Sequence, residues 1–324
     1  MTTPAATARF VPGATAEPAP AGGDPVLLVA DREVLVGPGG RLPRVADLPP
    51  GLRCLPLGRL DGRPVWVAEP TEAVVAGPAG SAASGAAEQA NAVAAEQADA
   101  VAAEQANAVA AEQADALPDG RWRSWPSVAG ELPEPLASLA GRALQVVTWR
   151  RTHRCCGACR AELADVPGET ARRCPDCALY VPMQLSPAVL VAITRPGPTG
   201  GTELLLVRHS YGATGIWALV AGFVEAGEPL EAAARREVAE EVGLAIDRVT
   251  YFGSQPWAMS GPGVLLAGFT AVAADPLAEP VIDGQELVQA RWFPVDALPA
   301  ELPPAYSISR WLIDHVAALD GRQC

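Results

Sequence analysis

The sequence predicts an α/β protein, and three observations carry that reading. After Pro187 two apolar runs, PAVLVAITRP and ELLLVRHS, have the length of strands, and the first is so nearly all apolar that it must be buried. Between them and the next β-type runs lies a stretch rich in Ala, Glu, Arg and Leu, bracketed by Gly227 and Gly243, which predicts a helix from Leu230 to Val242. Near the start, VLLVA, EVLVG and RPVWVAE alternate with turn residues such as Gly37-Pro38-Gly39-Gly40 and Asp61-Gly62.

In chain order, residues 1–24 are rich in Pro, Ala and Gly and lack an apolar core, so they predict a disordered tail and not a signal peptide. Residues 25–78 predict a small antiparallel β module in which Cys54 is a plain thiol. Residues 79–120 form a low-complexity insertion built on four copies of an octad, AAEQANAV and AAEQADAV in turn, over 86–117, the last copy ending in Leu117. An eight-residue period moves the Val stripe about 80° per repeat, so no coiled-coil seam forms. A partner-binding helix is the functional alternative. Residues 121–151 predict a helical connector, with Leu136, Leu139, Ala140, Ala143 and Val147 at helical spacing after Pro135.

Residues 152–184 hold Cys156-Gly-Ala-Cys159 and Cys174-Pro-Asp-Cys177, with 14 residues between the two knuckles. That spacing suits a closed tetrahedral Zn²⁺ site of Cys156, Cys159, Cys174 and Cys177, a structural zinc ribbon, with Cys155 as a neighbour able to slip in. Redox or free thiols are the alternatives, and either would leave this Arg-rich segment without a core. Residues 185–320 then predict the main domain. Trp217 to Val220 is a strand, as are Val249 to Pro256 and Val264 to Ala273, and SISRWLIDHVAAL is an amphipathic helix after Pro303-Pro304. His209, after a strand, reads as a hydrogen-bonded surface residue more readily than as a general base.

Composition limits the function. The chain has 324 residues and a net charge of −13, so general binding to nucleic acid or a membrane surface is disfavoured. No run reaches the roughly 18 apolar residues of a membrane span. A cytoplasmic location is expected, and there the seven cysteines serve metal and free thiols more than disulfides.

The chemistry concentrates in Gly222 to Leu244, GFVEAGEPLEAAARREVAEEVGL. On the predicted helix Glu237, Glu240 and Glu241 stand at i, i+3 and i+4, within an arc of roughly 100°. Each like-charge pair at this spacing costs about 0.2–0.5 kcal/mol, so the cluster calls for a cation. Oxygen ligands suit Mg²⁺ or Mn²⁺. The plainer alternative is a solvated acidic face. Against it stands the frame of Gly222, Glu228, Arg236, Glu237, Glu240, Glu241 and Gly243 with their aliphatic neighbours, expected by chance on the order of once in a million chains of this length.

This frame resembles the Nudix box without a departure, and the four residues Ser254-Gln255-Pro256-Trp257 downstream resemble the array of bacterial NADH pyrophosphatases, the subfamily that also removes NAD caps from RNA. The order of β module, four-cysteine ribbon, Nudix domain and terminal helix is that of the subfamily. The resemblance implies a Nudix α/β/α sandwich, a homodimer, and metal-dependent hydrolysis of NADH or NAD to NMN(H) and AMP. It implies metal ligands at Ala221 (through its carbonyl), Glu237, Glu241 and Glu286, with Glu240 beside them as ligand or base. Substrate contacts fall at Phe223, Gln255, Trp257, Glu169 and Ser309, and Arg236 orients a carboxylate.

Two departures stand out. After Ser254-Gln255-Pro256-Trp257 the subfamily's Pro-Phe-Pro-x-Ser is replaced by Ala258-Met259-Ser260-Gly261-Pro262-Gly263, and its Tyr-Pro pair before Pro187 is Pro182-Met183 here, with Tyr180 displaced. A Nudix hydrolase of another nucleotide, ADP-ribose or a dinucleoside polyphosphate, is therefore the alternative substrate reading. A non-catalytic nucleotide sensor is the alternative of a different class.

Overall fold

A computed structural model describes residues 10–13, 19–30, 33–49, 52–70, 119–198, 200–210, 215–258, 263–282, 284 and 286–320, the side chains of 69 and 70 excepted. The chain divides into two compact units, Met1–Met183 and Gln184–Cys324.

The first unit contains a six-stranded sheet, in the order β1-β4-β5-β2-β3-β6. Its strands are β1 (Phe10–Pro12), β2 (Val26–Ala30), β3 (Glu33–Val36), β4 (Leu52–Leu60), β5 (Arg63–Pro70) and β6 (Arg121–Ser124). Asp61 and Gly62, both at positive φ, make the two-residue turn that joins β4 to β5. All five residues of β2 are buried, and Val26, Leu28, Leu35, Trp66 and Ala68 form a core.

Three expectations are corrected here. The module is mixed and not purely antiparallel, because β3 takes one edge of β2 and β5 lies parallel along the other, Val26 opposite Trp66. The expected tail contributes a strand, since Phe10–Pro12 pairs with Gly58–Leu60. The expected helical connector starts as β6, whose ladder to β3 sets Arg121 opposite Val36. Helices α1 (Trp125–Glu131) and α2 (Glu134–Thr152) follow, α2 burying Leu139, Ala140, Ala143 and Val147. The octad repeat lies outside the described residues.

Beyond α2 a small sheet, β7 (Ala164–Asp165), β8 (Ala171–Arg173) and β9 (Tyr180–Pro182), carries the four cysteines on its flanks. Asp165 accepts hydrogen bonds from Arg150 of α2, from Arg172 of β8 and from Arg53 of β4. Arg172 also donates to the carbonyl of His153 at 2.7 Å, so charge and backbone together tie the sheet to the end of α2.

The second unit is a sheet in the order β13-β14-β10-β11-β15, with β12 on β10. Its strands are β10 (Ser186–Pro196), β11 (Thr202–His209), β12 (Val220–Phe223), β13 (Ile246–Trp257), β14 (Val264–Ala273) and β15 (Leu287–Pro294). Side chains alternate across a strand. Val189, Val191 and Ile193 therefore pack under helix α3 (Leu230–Val242), against Ala233, Ala234 and Val238. Leu190 and Ala192 face the other way, against Leu312, Ile313 and Val316 of helix α4 (Ile308–Asp320). Each fully buried Leu or Ile of that kind stabilises by about 1.5–3 kcal/mol. A sheet covered on both faces by helices is the α/β/α sandwich, and it explains why β10 reads as one unbroken apolar run.

Candidate functional site

The site is built where β12 feeds α3. Ala221 pairs with Leu190 of the central strand β10, so the chain leaves β12 from a rigid support and returns as α3 after a loop. Gly243 closes the helix at φ 67°, its N–H reaching the carbonyl of Ala239 at 3.1 Å, a left-handed cap that a residue with a Cβ adopts only under strain. Gly222 serves closeness instead. A Cβ there would lie 2.0 Å from the carboxyl carbon of Glu237, so only glycine lets the strand pass beside that carboxylate.

Arg236 binds loop to helix. It donates to Glu228 at 2.6 Å, to Glu237 at 2.8 Å, to Glu240 at 2.9 Å and to the carbonyl of Phe223 at 2.9 Å. The Glu225 N–H also donates to Glu228 at 2.8 Å, and Arg236 with that bond holds the Glu228 carboxyl below its ordinary range. One guanidinium thereby offsets three carboxylates and fixes the loop that carries Phe223.

Glu241 is left out of this arrangement. Its side chain is buried, 7% exposed, and neither carboxylate oxygen has a hydrogen-bond partner. Burial, then the charges of Glu237, Glu286 and Glu240, push its carboxyl up to about 8. Burial also raises Glu237, against the pull of Arg236. An unpaired carboxylate in such surroundings is costly unless a cation joins it. The donors are all oxygens, which is the set a hard divalent cation takes.

Glu237, Glu240, Glu241 and Glu286 line one open cavity of about 730 Å³, together with Ala221, Gly222, Arg236, Phe223 and Trp257. Phe223 is 55% exposed, an unusual state for its ring and a suitable one for stacking on a ligand. Glu286 comes to the cavity just ahead of β15, where its carbonyl accepts the N–H of Ser210 at 2.8 Å. Among the described residues only the cysteines form a set of three or more ligand atoms close enough to one another to hold an ion. The carboxylates share a cavity without converging to that degree, and Arg236 holds two of them, Glu237 and Glu240.

The remaining expected residues fall elsewhere. Gln255 and Ser309 are not among the cavity-lining residues. Both ends of the Gln255 amide are taken by backbone, its Nε2 donating to the carbonyl of Tyr306 and its Oε1 accepting from the N–H of Ile308, each at 2.8 Å. Ser309 is buried on α4, and its hydroxyl has no partner. Glu169 belongs to the first unit, where it accepts a hydrogen bond from Tyr180 at 2.5 Å. His209 ends β11 half-buried and is not itself a lining residue, although it pairs with Leu287, which is, and burial pushes its imidazole down. Sequence reasoning overlooked Ala188, Val264 and Leu266 as the apolar floor of the cavity. The two-residue alternation of β10 and β14 was the signal available for them.

In the first unit the sulfurs of Cys156, Cys159, Cys174 and Cys177 lie within 4.8 Å of one another. The backbone N–H groups of Cys159 and Ala158 bring Cys156 down to about 7. At Cys159 the N–H of Ala161 acts in the same sense, but the thiols of Cys174, Cys177 and Cys156 and burial outweigh it and push the group up to about 12. One thiolate here raises its neighbours, so full ionisation needs a cation among them.

Comparison with known proteins follows the same lines. The NUDIX domain matches residues 184–313. The NAD-capped RNA hydrolase NudC of Deinococcus radiodurans is 43% identical over 189 residues, 58% of this chain and 65% of that protein. The protein of the same name from Stutzerimonas stutzeri is 39% identical over 61% of this chain and 68% of its own length, and that from Pseudomonas putida 38% identical over 63% and 71%. The matches thus span about two thirds of these relatives. No helix among the described residues is long and apolar enough to cross a membrane.

Proposed function

Because the chain belongs to the NUDIX family and falls with its NudC members, we propose that it hydrolyses the diphosphate bond of NADH or NAD to NMN(H) and AMP, and removes NAD caps from RNA by the same reaction. The observation that carries this reading is the buried, partnerless carboxylate of Glu241, set in a cavity that also holds Glu237, Glu286 and the rings of Phe223 and Trp257.

These residues fit a divalent cation, Mg²⁺ or Mn²⁺, held by Glu237, Glu241, Glu286 and the Ala221 carbonyl. Such an ion supplies the positive charge that offsets the diphosphate in the transition state. The protein's own groups do the rest. Arg236 fixes the carboxylates of Glu237 and Glu240, so their placement costs nothing at the moment of reaction. Glu240 has one oxygen on Arg236 and is exposed, which leaves its other oxygen able to take a proton from the attacking water. Phe223 and Trp257 receive the heteroaromatic rings, each stack supplying about 1–3 kcal/mol. The four cysteines hold a structural Zn²⁺, for which a thiolate set is soft enough and closed enough.

Glu241→Gln should abolish turnover while leaving the fold intact, and wild-type rates in that variant would refute the assignment. The altered residues after Trp257 favour ADP-ribose or a dinucleoside polyphosphate as the second reading. Steady-state rates with Mg²⁺ and Mn²⁺ over NADH, NAD, ADP-ribose, a dinucleoside tetraphosphate and NAD-capped RNA separate the two. A sensor would hydrolyse none of them. Kinship with NudC also supports a homodimer, which sedimentation of the full chain tests, and free thiols at the four-cysteine site suit a reducing cytoplasm.

A further inference from the structure

We propose that Tyr306, held in place by Gln255, is a positioning residue that fixes Trp257 as a wall of the cavity, and so sets the affinity for one of the two rings of a dinucleotide. The proposal rests on reading the cavity as a dinucleotide site.

Gln255 and Trp257 are two residues apart on β13 and share a face of the strand. Gln255 makes two hydrogen bonds from its side-chain amide to the main chain at the start of α4. It accepts the N–H of Ile308, one of the helix's own unpaired donors, and gives its N–H to the carbonyl of Tyr306. These two bonds fix the position and the orientation of the amide, with one donor and one acceptor held by the main chain. Its effect is to lock Tyr306 in register with the strand.

The ring of Tyr306 then lies against the indole of Trp257, with centroids 6.4 Å apart and planes 26° apart, within the range of offset aromatic pairs. Tyr306 is itself half-buried and does not line the cavity, whereas Trp257 does. The order of support therefore runs from Gln255 to the backbone of Tyr306, from its ring to Trp257, and from Trp257 to the ligand. Trp257 needs such backing because it is the last residue of β13, where the ladder ends. An indole already held on one side loses less rotamer freedom when a ring stacks on its other side.

Binding of AMP and of NMN, the two half-molecules, is measured by calorimetry on the full chain, so that no turnover is required. Trp257→Ala should weaken one of the two and spare the other. Tyr306→Ala should weaken the same one, by about 3- to 10-fold. Tyr306→Phe should bind like wild type. The double variant should be no weaker than Trp257→Ala alone, since Tyr306 acts only through that ring. KM for NADH should rise in step, by more than kcat falls. If Tyr306→Ala does not fold, Tyr306→Leu keeps the apolar volume without the aromatic face and gives the same reading.

An additive double variant, a Tyr306→Ala protein that binds both half-molecules normally, or a Trp257→Ala protein that does so would overturn the proposal. A wild type that binds as described yet leaves NADH intact would uphold the positioning and sink the reaction assignment alone.

Discussion

Replacing Glu241 by Gln should stabilise the metal-free protein, and by an amount that grows with pH. The folded state holds that carboxyl at about 8, against an ordinary value of 4.5. A carboxyl raised by folding favours the folded state only while protonated, so its cost is absent at low pH, grows as pH rises past the unfolded value, and is complete above the folded one. At about 1.4 kcal/mol per unit, the cost reaches about 3 kcal/mol near pH 7. Gln has the same shape without the charge and escapes it. With a urea slope of about 1–3 kcal/mol/M, the variant's unfolding midpoint should exceed wild type's by about 1 M or more near pH 7.5, and the gap should shrink by about 2–3 kcal/mol on moving to pH 5.5.

The assay is urea unfolding of the full chain in buffer free of Mg²⁺ and Mn²⁺. Strong chelators are to be avoided, because they would also strip the cysteine site. Adding Mg²⁺ or Mn²⁺ should then stabilise wild type and not the variant. A gap that does not move with pH, or a variant less stable than wild type near pH 7.5, would refute the argument that Glu241 is a buried carboxylate awaiting a cation.

Other expectations follow from single contacts. Gly222→Ala places a methyl group on the Glu237 carboxylate, so kcat/KM should fall by about 10-fold or more, with a stability loss of about 1–3 kcal/mol read by urea unfolding. Removing metal from the four-cysteine site should lower the Tm of the first unit, read by calorimetry, and an unchanged Tm would contradict a structural Zn²⁺. Deleting residues 82–117 should leave turnover intact, since β5 ends at Pro70 and β6 begins at Arg121, outside the deletion. Loss of folding or of turnover in that chain would show the insertion to be integral.

How far the sequence could be read varied with the range of the interaction. Helix α3 runs over Leu230–Val242, the span its composition and flanking glycines predict, because propensity and capping act within a few residues. The mixed pairing in the first sheet was not legible, because β2 and β5 are joined by nothing local and only the shared core of Val26, Leu28 and Trp66 sets them side by side. For the same reason β6 was missed. Arg121–Ser124 has no strand pattern of its own and becomes a strand only because β3 offers a free edge.

The acidic trio at Glu237, Glu240 and Glu241 and the paired cysteine knuckles could be read from spacing alone, since helical and turn geometry fix which near neighbours share a face. What the trio's members do differently was decided by tertiary structure. Arg236 reaches Glu237 and Glu240 but not Glu241, and the sandwich buries Glu241 without a partner. Gln255 looked like a substrate contact from its place beside Trp257, yet α4 arrives from some fifty residues away and takes both ends of its amide. Short-range order is written in the chain because the backbone couples adjacent residues directly. Which buried group is left unpaired, and which side chain is already engaged, depends on what long-range packing brings beside it.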